Sequence, residues 1–533
     1  MLRAFIFLFF IPIYLSAQEQ PQWVDSVYTK MTLDQKIGQL FMVMAFPDGD
    51  LAKQQKTIHQ VQKQHIGGVL FSKGSSIKQL QDIKRYQRFS KTPLLVAADA
   101  EWGMAMRLQD VTSYPYAMTL GALPNDELVY ALAKRMGKRK RQMGIHISFA
   151  PVVDVNTEVD NPIIGVRAFG DNPVRVAKKA LAFMEGFQDA GLIAVAKHFP
   201  GHGASTADSH KTLPRINRSK EALDSIDLVP FKHLISKGVE GVMVGHLDIP
   251  ALDNSGLPVS VSRKVVTQML QQQLGFDGLI FTDALDMKGI TTAVESPALA
   301  AFLAGADVLV MPLQLEKAIS AIKTSYTKGE ITEARLAHSV KKILTAKHTL
   351  GLYQSKTVET TKNPLTNTFY DAYLRKQIAE QSIVEVHAQK DTFPLQINIT
   401  AYYVSLGKPS SNDFLYALRE QTTTVQILKN TLKTTKLSGK TIVVGIHGNT
   451  SSPWSNQSLS ESDIAVLKYL HAYPNVHVVL FAKPYVLSQL PNLSSYASVL
   501  LAHEQQTAFS NAAARLLFGE IKTLGVLPVY IER

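Results

Sequence analysis

The strongest constraint on the fold of this chain is a series of eight short, nearly continuous apolar runs. Segments of helical periodicity separate them, for example 174–191 and 262–275. Strands of a parallel sheet are buried on both faces and therefore are apolar throughout. The runs lie at 38–45, 67–71, 93–99, 147–155, 193–199, 241–247, 278–284 and 306–312. This alternation predicts a TIM-type (β/α)8 barrel, slightly enlarged by insertions, over residues 18–351.

A second, smaller alternation follows a polar, threonine-rich stretch at 352–370, which we interpret as a linker. Its first helix is predicted at 371–386, and the last segment, 525–533, is interpreted as a closing strand. Between them, apolar runs predict strands at 398–407, 424–429, 440–448, 475–484 and 497–503. This pattern predicts an α/β sandwich domain over residues 371–533.

The N-terminus has the pattern of a cleavable secretory signal peptide over residues 1–17. Arg3 provides a positive charge, residues 4–15 are apolar, and Ser16 and Ala17 precede a polar stretch. The apolar run is too short to span a bilayer, and a buried helix is the alternative. No cysteine stands at the junction to carry a lipid anchor, and no later run suits a membrane span. We therefore expect a periplasmic or secreted protein.

The composition is typical of a soluble globular protein of two or three domains, with 533 residues, 46% hydrophobic and 19% charged. The chain has no cysteine, which excludes disulfides, thiol nucleophiles and cysteine-based zinc sites. Its formal net charge is +12, and the densest basic run, 134–144, is interpreted as a solvated helix face. The alternative is attraction to an anionic polymer such as cell-wall material. No motif for binding nucleic acid is recognisable.

Polar residues at the carboxyl ends of the predicted barrel strands are the first candidates for a functional site. Enzymes with this fold build their active sites at that end of the barrel. Strand-end carboxylates and histidines from several separate strands are also hard to explain as core residues. The candidates are Asp99, Asp154, Lys197, His198, His246 and Asp283.

The segment KHFPGHGASTADSHKTLP, residues 197–214, follows the fifth predicted strand as a long polar loop at the barrel mouth. Such a loop has no packing role and is usually functional. Asp208 can orient the imidazole of His210 and stabilise its cation, which suits a general acid or base. A local Asx turn with a solvated histidine is one alternative. A metal site is another, with Asp208, His198, His202 and His210 as ligands.

Asp283 ends the seventh predicted strand between two small residues, so its carboxylate has room for a ligand. Its alternative role is to N-cap the following helix. A carboxylate on one side of a pocket and a His–Asp pair on the other is a layout for glycoside cleavage. Asp286 lies close behind in the chain and is the weaker candidate for the nucleophile.

Two further segments carry charged residues that suit a hydroxyl-rich ligand. Asp99 is followed by Arg107, and Arg167 lies in the glycine-flanked loop NPIIGVRAFG at 161–170. Carboxylates, arginines and lysines around a pocket can bind hydroxyl groups through directional hydrogen bonds. Surface salt bridges are the alternative for each residue taken alone.

Together, KHFPGHG followed by DSH, NPIIGVRAFG, and TDALDM after a strand resemble glycoside hydrolase family 3, most closely its β-N-acetylglucosaminidase branch. The resemblance covers residues 30–350 strongly and extends, on weaker motifs, to the sandwich domain of two-domain members. It implies retaining hydrolysis with Asp283 as nucleophile, His210 as acid/base and Asp208 as partner of the histidine. It implies no cofactor and no metal. The positions that match sugar-binding residues are Asp99, Arg107, Arg167, Lys197 and His198.

The sequence departs from the family pattern in two places. AEWGMAMR stands where the family often has Gln-Glu-Gly-Gly-Arg after the strand-three aspartate, so Trp102 can reshape the pocket rim. Ala204 replaces an aspartate that is frequent after GHG.

Three functions remain open at this point. The leading interpretation is an exo-acting β-N-acetylhexosaminidase that hydrolyses β-linked N-acetylglucosamine in peptidoglycan fragments. A β-glucosidase or β-xylosidase of the same family would need an acid/base glutamate from the second domain, for which Glu461 and Glu504 are available. The third is a catalytically silent glycan-binding protein.

Overall fold

The computed structural model of the chain describes residues 22–354, 368–449, 452–455 and 457–531. The predicted signal peptide, 1–17, lies outside these ranges, and so do residues 355–367 of the predicted linker. Among the helices within these ranges, none has both the length and the apolar character that a membrane span requires.

Eight parallel strands form the first domain, and each predicted apolar run contains one of them. They are β1 (Phe41–Ala45), β2 (Gly68–Phe71), β3 (Leu95–Ala98), β4 (Ile147–Ser148), β5 (Ile193–Phe199), β6 (Gly241–Val244), β7 (Leu279–Thr282) and β8 (Leu309–Val310). Pairing follows chain order from β1 to β7, and β8 pairs with β1. A parallel bridge between Phe281 and Val308 joins β7 to the entry of β8. The predicted barrel is therefore confirmed.

Helices precede, separate and follow the strands of the barrel along the chain. They are α1 (Gln22–Lys30), α2 (Leu33–Gln39), α3 (Leu51–Lys63), α4 (Ser76–Phe89), α5 (Ala117–Gly121), α6 (Glu127–Gln142), α7 (Pro173–Gln188), α8 (Lys220–Ala222), α9 (Leu228–Ser236), α10 (Lys288–Thr291), α11 (Pro297–Ala304), α12 (Leu315–Thr327) and α13 (Glu333–Thr349). Two segments, Leu223–Asp227 and Lys264–Gln273, are π-helical. Local start signals are visible in α7, where Asn172 caps the helix and proline occupies its first turn.

Large apolar side chains fill the barrel core. Phe149 and Phe281 meet edge to face with ring centroids 5.4 Å apart, and Phe199 packs on Phe231 at 5.2 Å. All four side chains are fully buried. Each such ring removes about 200 Å² from water, which stabilises the fold by several kcal/mol at about 25 cal/mol per Å². The packed interior leaves the mouth of the barrel as the place for a site.

The second domain is a six-stranded sheet with helices, as predicted for an α/β sandwich. Its strands are β9 (Val384–Ala388), β10 (Thr400–Gly407), β11 (Thr423–Ile427), β12 (Thr441–His447), β13 (Val476–Phe481) and β14 (Ser498–Leu501). Its helices are α14 (Phe369–Ser382), α15 (Asp413–Gln421), α16 (Glu461–Leu470) and α17 (Thr507–Leu517). The strand order is β11-β10-β12-β13-β14-β9, with only β9 antiparallel to its neighbour.

Two predictions for this domain are wrong. The helix predicted to reach residue 386 ends at Ser382, and the residues after it form the edge strand β9. Valine favours strands, and the alternating burial of β9 suits a sheet edge rather than a helix. The segment 525–531 forms no strand and runs along the barrel instead, where the amide of Val526 donates to the carbonyl of Ala122.

The prediction of a solvated face for the basic run 134–144 is also wrong. Arg139 and Lys140 are buried. The Nζ atom of Lys140 donates to the hydroxyl of Ser148 at 2.7 Å, at the end of β4. Arg139 and Arg135 both pair with Asp371, a fully buried carboxylate of α14. Buried charges need partners, and this run finds them in the barrel and in the second domain.

Candidate active site

A small cavity of about 170 Å³ lies at the carboxyl end of the barrel. Typical ligand pockets have volumes of about 300–1,000 Å³, so this cavity suits a single small ring. Asp208 does not line the cavity, but it lies in hydrogen-bond contact with His210, which does. The seven other residues to which the family resemblance assigns a role all line it: Asp99, Arg107, Arg167, Lys197, His198, His210 and Asp283.

One wall of the cavity is a network of buried and half-buried charges. The Nζ atom of Lys197 lies 2.9 Å from Asp99 Oδ1 and 2.9 Å from Glu101 Oε1. Arg107 pairs with the other oxygen of Asp99 at 2.8 Å, and Arg167 binds both oxygens of Glu101 at 2.8 and 2.9 Å. Charge-assisted bonds of this kind fix the side chains in place. The network therefore offers a rigid set of donors and acceptors to a ligand.

Glu101 was not among the predicted site residues. Burial alone would raise its pKa, but the charges and hydrogen bonds of Arg167 and Lys197 outweigh burial and lower the pKa to about 2. The same balance, with burial opposed by Lys197 and Arg107, holds the pKa of Asp99 well below its usual value. The only sequence signal for Glu101 is its place just after the end of β3.

Asp154, a strand-end candidate, orients His198, which lies near the end of β5. Its Oδ2 atom lies 2.7 Å from Nδ1 of His198, and its Oδ1 atom accepts from the backbone amides of His198 and His202 at 3.1 and 2.7 Å. A hydrogen bond at Nδ1 sets the tautomer of the ring and leaves Nε2 for the cavity. Asp154 is therefore a positioning residue behind the cavity wall.

The loop after β5 turns sharply through two glycines. Gly201 has φ of 140°, and a Cβ atom on Gly203 would lie 1.8 Å from the carbonyl oxygen of Val155. Between them, the buried His202 reaches across the loop to Ser209, with Nε2 3.1 Å from the hydroxyl oxygen. Burial, followed by the charge of His198, lowers the pKa of His202 to about 4, so its ring is neutral at pH 7. His202 thus holds the loop in place beside His210.

His210 and Asp208 form the predicted pair, and they form the Asx turn as well. Nδ1 of His210 lies 3.0 Å from Asp208 Oδ1, and the backbone amide of His210 donates to the same oxygen at 2.9 Å. The His210 side chain is 64% exposed, so its Nε2 edge is accessible to a ligand. Within the described residues, no three histidine, aspartate or glutamate side chains are grouped as metal ligands.

Asp283 lies directly after β7 and faces the same cavity. Its Oδ1 atom accepts from the amide of Ala284 at 2.8 Å, and the following helix α10 is capped at Met287, so the N-cap alternative is wrong. Burial favours the neutral acid, but the neighbouring His198 and His246 and the amide of Ala284 outweigh burial and lower the pKa of Asp283. Asp283 is therefore ionised at neutral pH.

His246, the other strand-end histidine, is fully buried and supports the backbone beside Asp283. Its Nδ1 atom lies 2.8 Å from the Ser260 hydroxyl, and its Nε2 atom lies 3.2 Å from the carbonyl of Ala284. Both ring nitrogens form hydrogen bonds within the protein. His246 does not line the cavity and has a supporting role.

The second domain contributes a side chain to the cavity that the sequence did not reveal. Trp454 lines it, and its indole Nε1 donates to the carbonyl of Ile163 at 3.2 Å. Arg167 donates to the same carbonyl at 3.0 Å. The ring of Trp454 also meets Trp102 edge to face at 6.4 Å. The two domains therefore build one rim.

The two glutamates considered as an alternative acid/base do not line this cavity. Glu504 is buried between the domains, where it accepts from the Thr119 hydroxyl at 2.7 Å and the Tyr116 amide at 2.9 Å. Glu461 is exposed at the first position of α16. The β-glucosidase alternative therefore lacks its required glutamate among the residues that the structure describes around the cavity.

Comparison with known proteins identifies the family. A model described as the glycosyl hydrolase family 3 N terminal domain matches residues 32–346. Beta-hexosaminidase A of Pseudoalteromonas piscicida is 32% identical over 378 residues, 66% of this chain but only 62% of that protein. The chain thus spans less than two thirds of the length of this relative.

Solved structures cover both domains. A glycoside hydrolase family 3 beta-N-acetylglucosaminidase from Paenibacillus sp. str. FPU-7 is 28% identical with a TM-score of 0.78, over 94% of this chain and 99% of that chain. The beta-glucoside phosphorylase BglX has a TM-score of 0.82 over 98% of both chains, but at 23% identity it shows the fold alone. With the family model over more than half of its length, this chain belongs to glycosyl hydrolase family 3.

Proposed function

We propose that this protein is a retaining, exo-acting β-N-acetylglucosaminidase. One observation carries the proposal: the ionised Asp283 and the Asp208–His210 pair border the same small cavity. A carboxylate nucleophile and a separate proton donor are the two groups that retaining glycoside hydrolysis needs. The names of the relative from Pseudoalteromonas piscicida and of the Paenibacillus structure support the choice of sugar.

In the first step, a carboxylate oxygen of Asp283 attacks the anomeric carbon while the glycosidic bond breaks. His210 gives the proton of Nε2 to the departing oxygen, because Nδ1 is engaged by Asp208. The negative charge of Asp208 stabilises the imidazolium before transfer. The step yields an alcohol, a covalent glycosyl–Asp283 ester and a neutral His210.

In the second step, neutral His210 takes a proton from a water molecule, whose oxygen attacks the anomeric carbon. The ester bond breaks, Asp283 returns to its carboxylate form and His210 is again protonated. Two inversions at the anomeric carbon give net retention of configuration. The lowered pKa of Asp283 suits both its attack and its departure.

The charged network of Asp99, Glu101, Arg107, Arg167 and Lys197 is assigned to the sugar hydroxyl and acetamido groups. Its members are fixed by one another before a ligand arrives, which reduces the cost of ordering them on binding. The small volume of the cavity suits one terminal sugar and so favours exo cleavage. His198, held by Asp154, completes the polar lining.

We further propose that the substrate is a peptidoglycan fragment and that the protein acts in the periplasm or outside the cell. The N-terminal pattern of residues 1–17 supports secretion. The net charge of +12 favours attraction of the protein to an anionic polymer such as the cell wall. Peptidoglycan supplies β-linked N-acetylglucosamine in that location.

The test is an assay of 4-nitrophenyl β-N-acetylglucosaminide beside 4-nitrophenyl β-glucoside, with the first-formed anomer read by proton NMR. We expect kcat/KM to favour the N-acetylglucosaminide by about 100-fold or more, with the β-anomer formed first. Equal or higher activity on the glucoside would establish the β-glucosidase alternative. Binding of N-acetylglucosamine without turnover of either substrate would establish the silent binding protein.

A further inference from the structure

Lys140 of α6 is a fully buried lysine behind the wall of the candidate active site. Its Nζ atom donates to the carbonyl of Ala100 at 2.8 Å, lies 2.7 Å from the hydroxyl oxygen of Ser148, and lies 4.0 Å from the centroid of the Phe187 ring. Lys140 does not line the cavity, and no carboxylate of the described residues lies within 4.0 Å of its Nζ atom. Any effect of Lys140 on a ligand must therefore act through these partners.

The carbonyl of Ala100 lies between two acidic residues of the charged network. Asp99 precedes Ala100 in the chain, Glu101 follows it, and both acidic residues line the cavity. The same carbonyl accepts from the backbone amide of Gly103 at 3.2 Å, which closes a turn from Ala100 to Gly103. Glu101 and Trp102 occupy the central positions of that turn. A donor to this carbonyl thus holds the backbone from which both carboxylates project.

The Nζ atom of Lys140 is itself held from several sides, so it can fix the position of the turn. The Phe187 ring of α7 contacts it from one side. Ser148 of β4, the residue after the one paired with Ala97 and the sheet neighbour of Ala98, contacts it from another. The Gly103 bond, by contrast, lies within the turn and cannot tie the turn to the barrel. Lys140 thus links the turn to the helix layer of the barrel.

The charge state of Lys140 does not decide this role. Burial, followed by the charge of Lys197, lowers the pKa of Lys140 well below its usual value. An ammonium group and a neutral amine both carry N–H bonds, so either form can donate to the carbonyl of Ala100. The hydroxyl of Ser148 can accept from the ammonium group or donate to the amine. Both hydrogen bonds are therefore available in either state.

We propose that Lys140 is a positioning residue, which holds the turn so that the carboxylates of Asp99 and Glu101 reach the bound sugar. The proposal rests on the proposed function only for the assignment of these carboxylates to a sugar. Lys197 bonds to both carboxylates, so a displaced turn would also move the amino group of Lys197. Hydrogen bonds weaken steeply when donor and acceptor are misaligned, so a small displacement of the turn weakens several contacts to a ligand together.

The first test is Lys140→Met, which keeps the length and apolar body of the side chain but has no N–H to donate. We expect the calorimetric Kd for N-acetylglucosamine and the KM for the aryl N-acetylglucosaminide to rise about 10-fold, with kcat changed by less than about threefold. Asp283 and the Asp208–His210 pair lie on other segments, so the chemical step is spared. Values of Kd and KM within about twofold of wild type would overturn the proposal.

Lys347→Met is the matched control for the loss of a buried lysine. Lys347 of α13 is also fully buried, but its Nζ atom bonds to the side chain of Gln39 rather than to the turn. It does not line the catalytic cavity. We expect this variant to lose Tm as Lys140→Met does and to keep the wild-type Kd and KM. A comparable rise of Kd in both variants would show a general loss of packing and would refute the positioning role.

A second variant covers the case in which Lys140→Met does not fold, because that substitution leaves the hydroxyl of Ser148 buried without its partner. Lys140→Met/Ser148→Ala removes both polar groups of that bond. We expect the double variant to raise Kd about 10-fold, and Ser148→Ala alone, which keeps the bond from Lys140 to Ala100, to raise Kd by less than about threefold. Equal effects of Ser148→Ala and the double variant would show that the lysine does not position the turn.

Fluorine NMR of protein labelled with 5-fluorotryptophan reports on the turn and separates this proposal from the proposed function. The chain has three tryptophans, and Trp102→Phe assigns the resonance of the one in the turn. This resonance should shift in Lys140→Met and not in Lys347→Met. If the shift is seen but the wild type neither binds N-acetylglucosamine nor hydrolyses the aryl substrate, the sugar assignment fails and Lys140 still positions the turn. If the wild type hydrolyses the aryl substrate and no shift is seen, the assignment of Lys140 fails alone.

Discussion

The Oδ1 atom of Asp208 accepts a hydrogen bond from the backbone amide of His210 at 2.9 Å and lies 3.0 Å from Nδ1 of the same histidine. One oxygen thus forms the Asx turn and orients the ring. Two of the interpretations that the sequence left open, a local turn and a catalytic pair, are therefore compatible. The turn holds the backbone of His210 close to Asp208, so that the Asp208 carboxylate can form a hydrogen bond with the His210 ring.

Asp208→Asn is expected to separate these two roles. The amide oxygen still accepts the turn hydrogen bond, but the negative charge that stabilises the imidazolium is gone. We expect kcat to fall about 100-fold on disaccharides and much less on dinitrophenyl substrates, whose leaving groups need little protonation. His210→Ala should show the same pattern. Equal losses on both substrates would contradict the role of the pair in proton transfer.

Asp283→Ala is expected to lower kcat by at least about 10³-fold on every leaving group, because the covalent intermediate cannot form. Asp277→Ala is the matched control, since Asp277 is exposed just before the start of β7 and Asp283 follows its end. The control should keep wild-type kcat. Near-normal turnover by the Asp283 variant on an aryl N-acetylglucosaminide would show that another residue is the nucleophile.

Glu101→Gln is expected to lower stability in a pH-dependent way. The pKa of Glu101 is lowered from 4.5 to about 2 in the folded state, so its charge stabilises the fold above pH 4.5 and this contribution is lost as pH falls toward 2. Its size is on the order of 3 kcal/mol. The Tm difference between wild type and variant should therefore be large at pH 6 and shrink at pH 3.

The exposed Glu420→Gln serves as the control for Glu101, and its Tm should follow wild type at both pH values. Glu101→Gln should also raise KM, because Arg167 and Lys197 lose a partner that positions them. A Tm difference that stays constant between pH 6 and pH 3 would mean that Glu101 is not held ionised by its neighbours.

Trp454→Ala is expected to raise KM for the aryl N-acetylglucosaminide several-fold with a smaller change in kcat. The indole lines the cavity and donates to the carbonyl of Ile163, so its loss removes contact area and a link between the domains. Tyr416→Ala removes an exposed aromatic ring on α15 of the same domain and should not change KM. An unchanged KM in the Trp454 variant would show that this side chain of the second domain does not contribute to sugar binding.

Glu504→Gln is expected to stabilise the domain interface at alkaline pH. Burial raises the pKa of Glu504 from 4.5 to about 7, so its stabilising contribution is present below pH 4.5 and is lost as pH rises through 7. Replacing the carboxyl group by an amide removes the buried charge. The variant should gain Tm relative to wild type at pH 8 and not at pH 4, whereas Glu420→Gln should gain at neither.

Much of the site could be predicted because barrel topology converts chain order into position. Asp99, Lys197 and Asp283 lie far apart in sequence, yet each lies at or next to the carboxyl end of a parallel strand, and parallel strands end at one face. The periodicity of the sequence was sufficient to locate all eight strands. Burial on both faces makes such strands apolar throughout, so their ends stand out against the polar residues that follow.

The wrong predictions, for the basic run 134–144 and for the residues after Ser382, arise from contacts with distant parts of the chain. Lys140 and Arg139 have the composition of a solvated face, but their partners, Ser148 and Asp371, come from elsewhere in the chain. The residues after Ser382 continue a helical pattern locally and become an edge strand because β14 offers an unpaired edge. In each case a long-range partner overrides the local preference.

The sequence by itself determined the barrel, the second α/β domain and the strand-end residues of the cavity, because periodicity and strand ends are local properties. Only the tertiary structure decided that Glu101 joins Arg167 and Lys197 in one network, and that Trp454 of the second domain completes the rim. Those contacts depend on barrel closure and on the docking of two domains. Neither barrel closure nor domain docking can be recognised from the residues adjacent to Glu101 and Trp454 in the sequence.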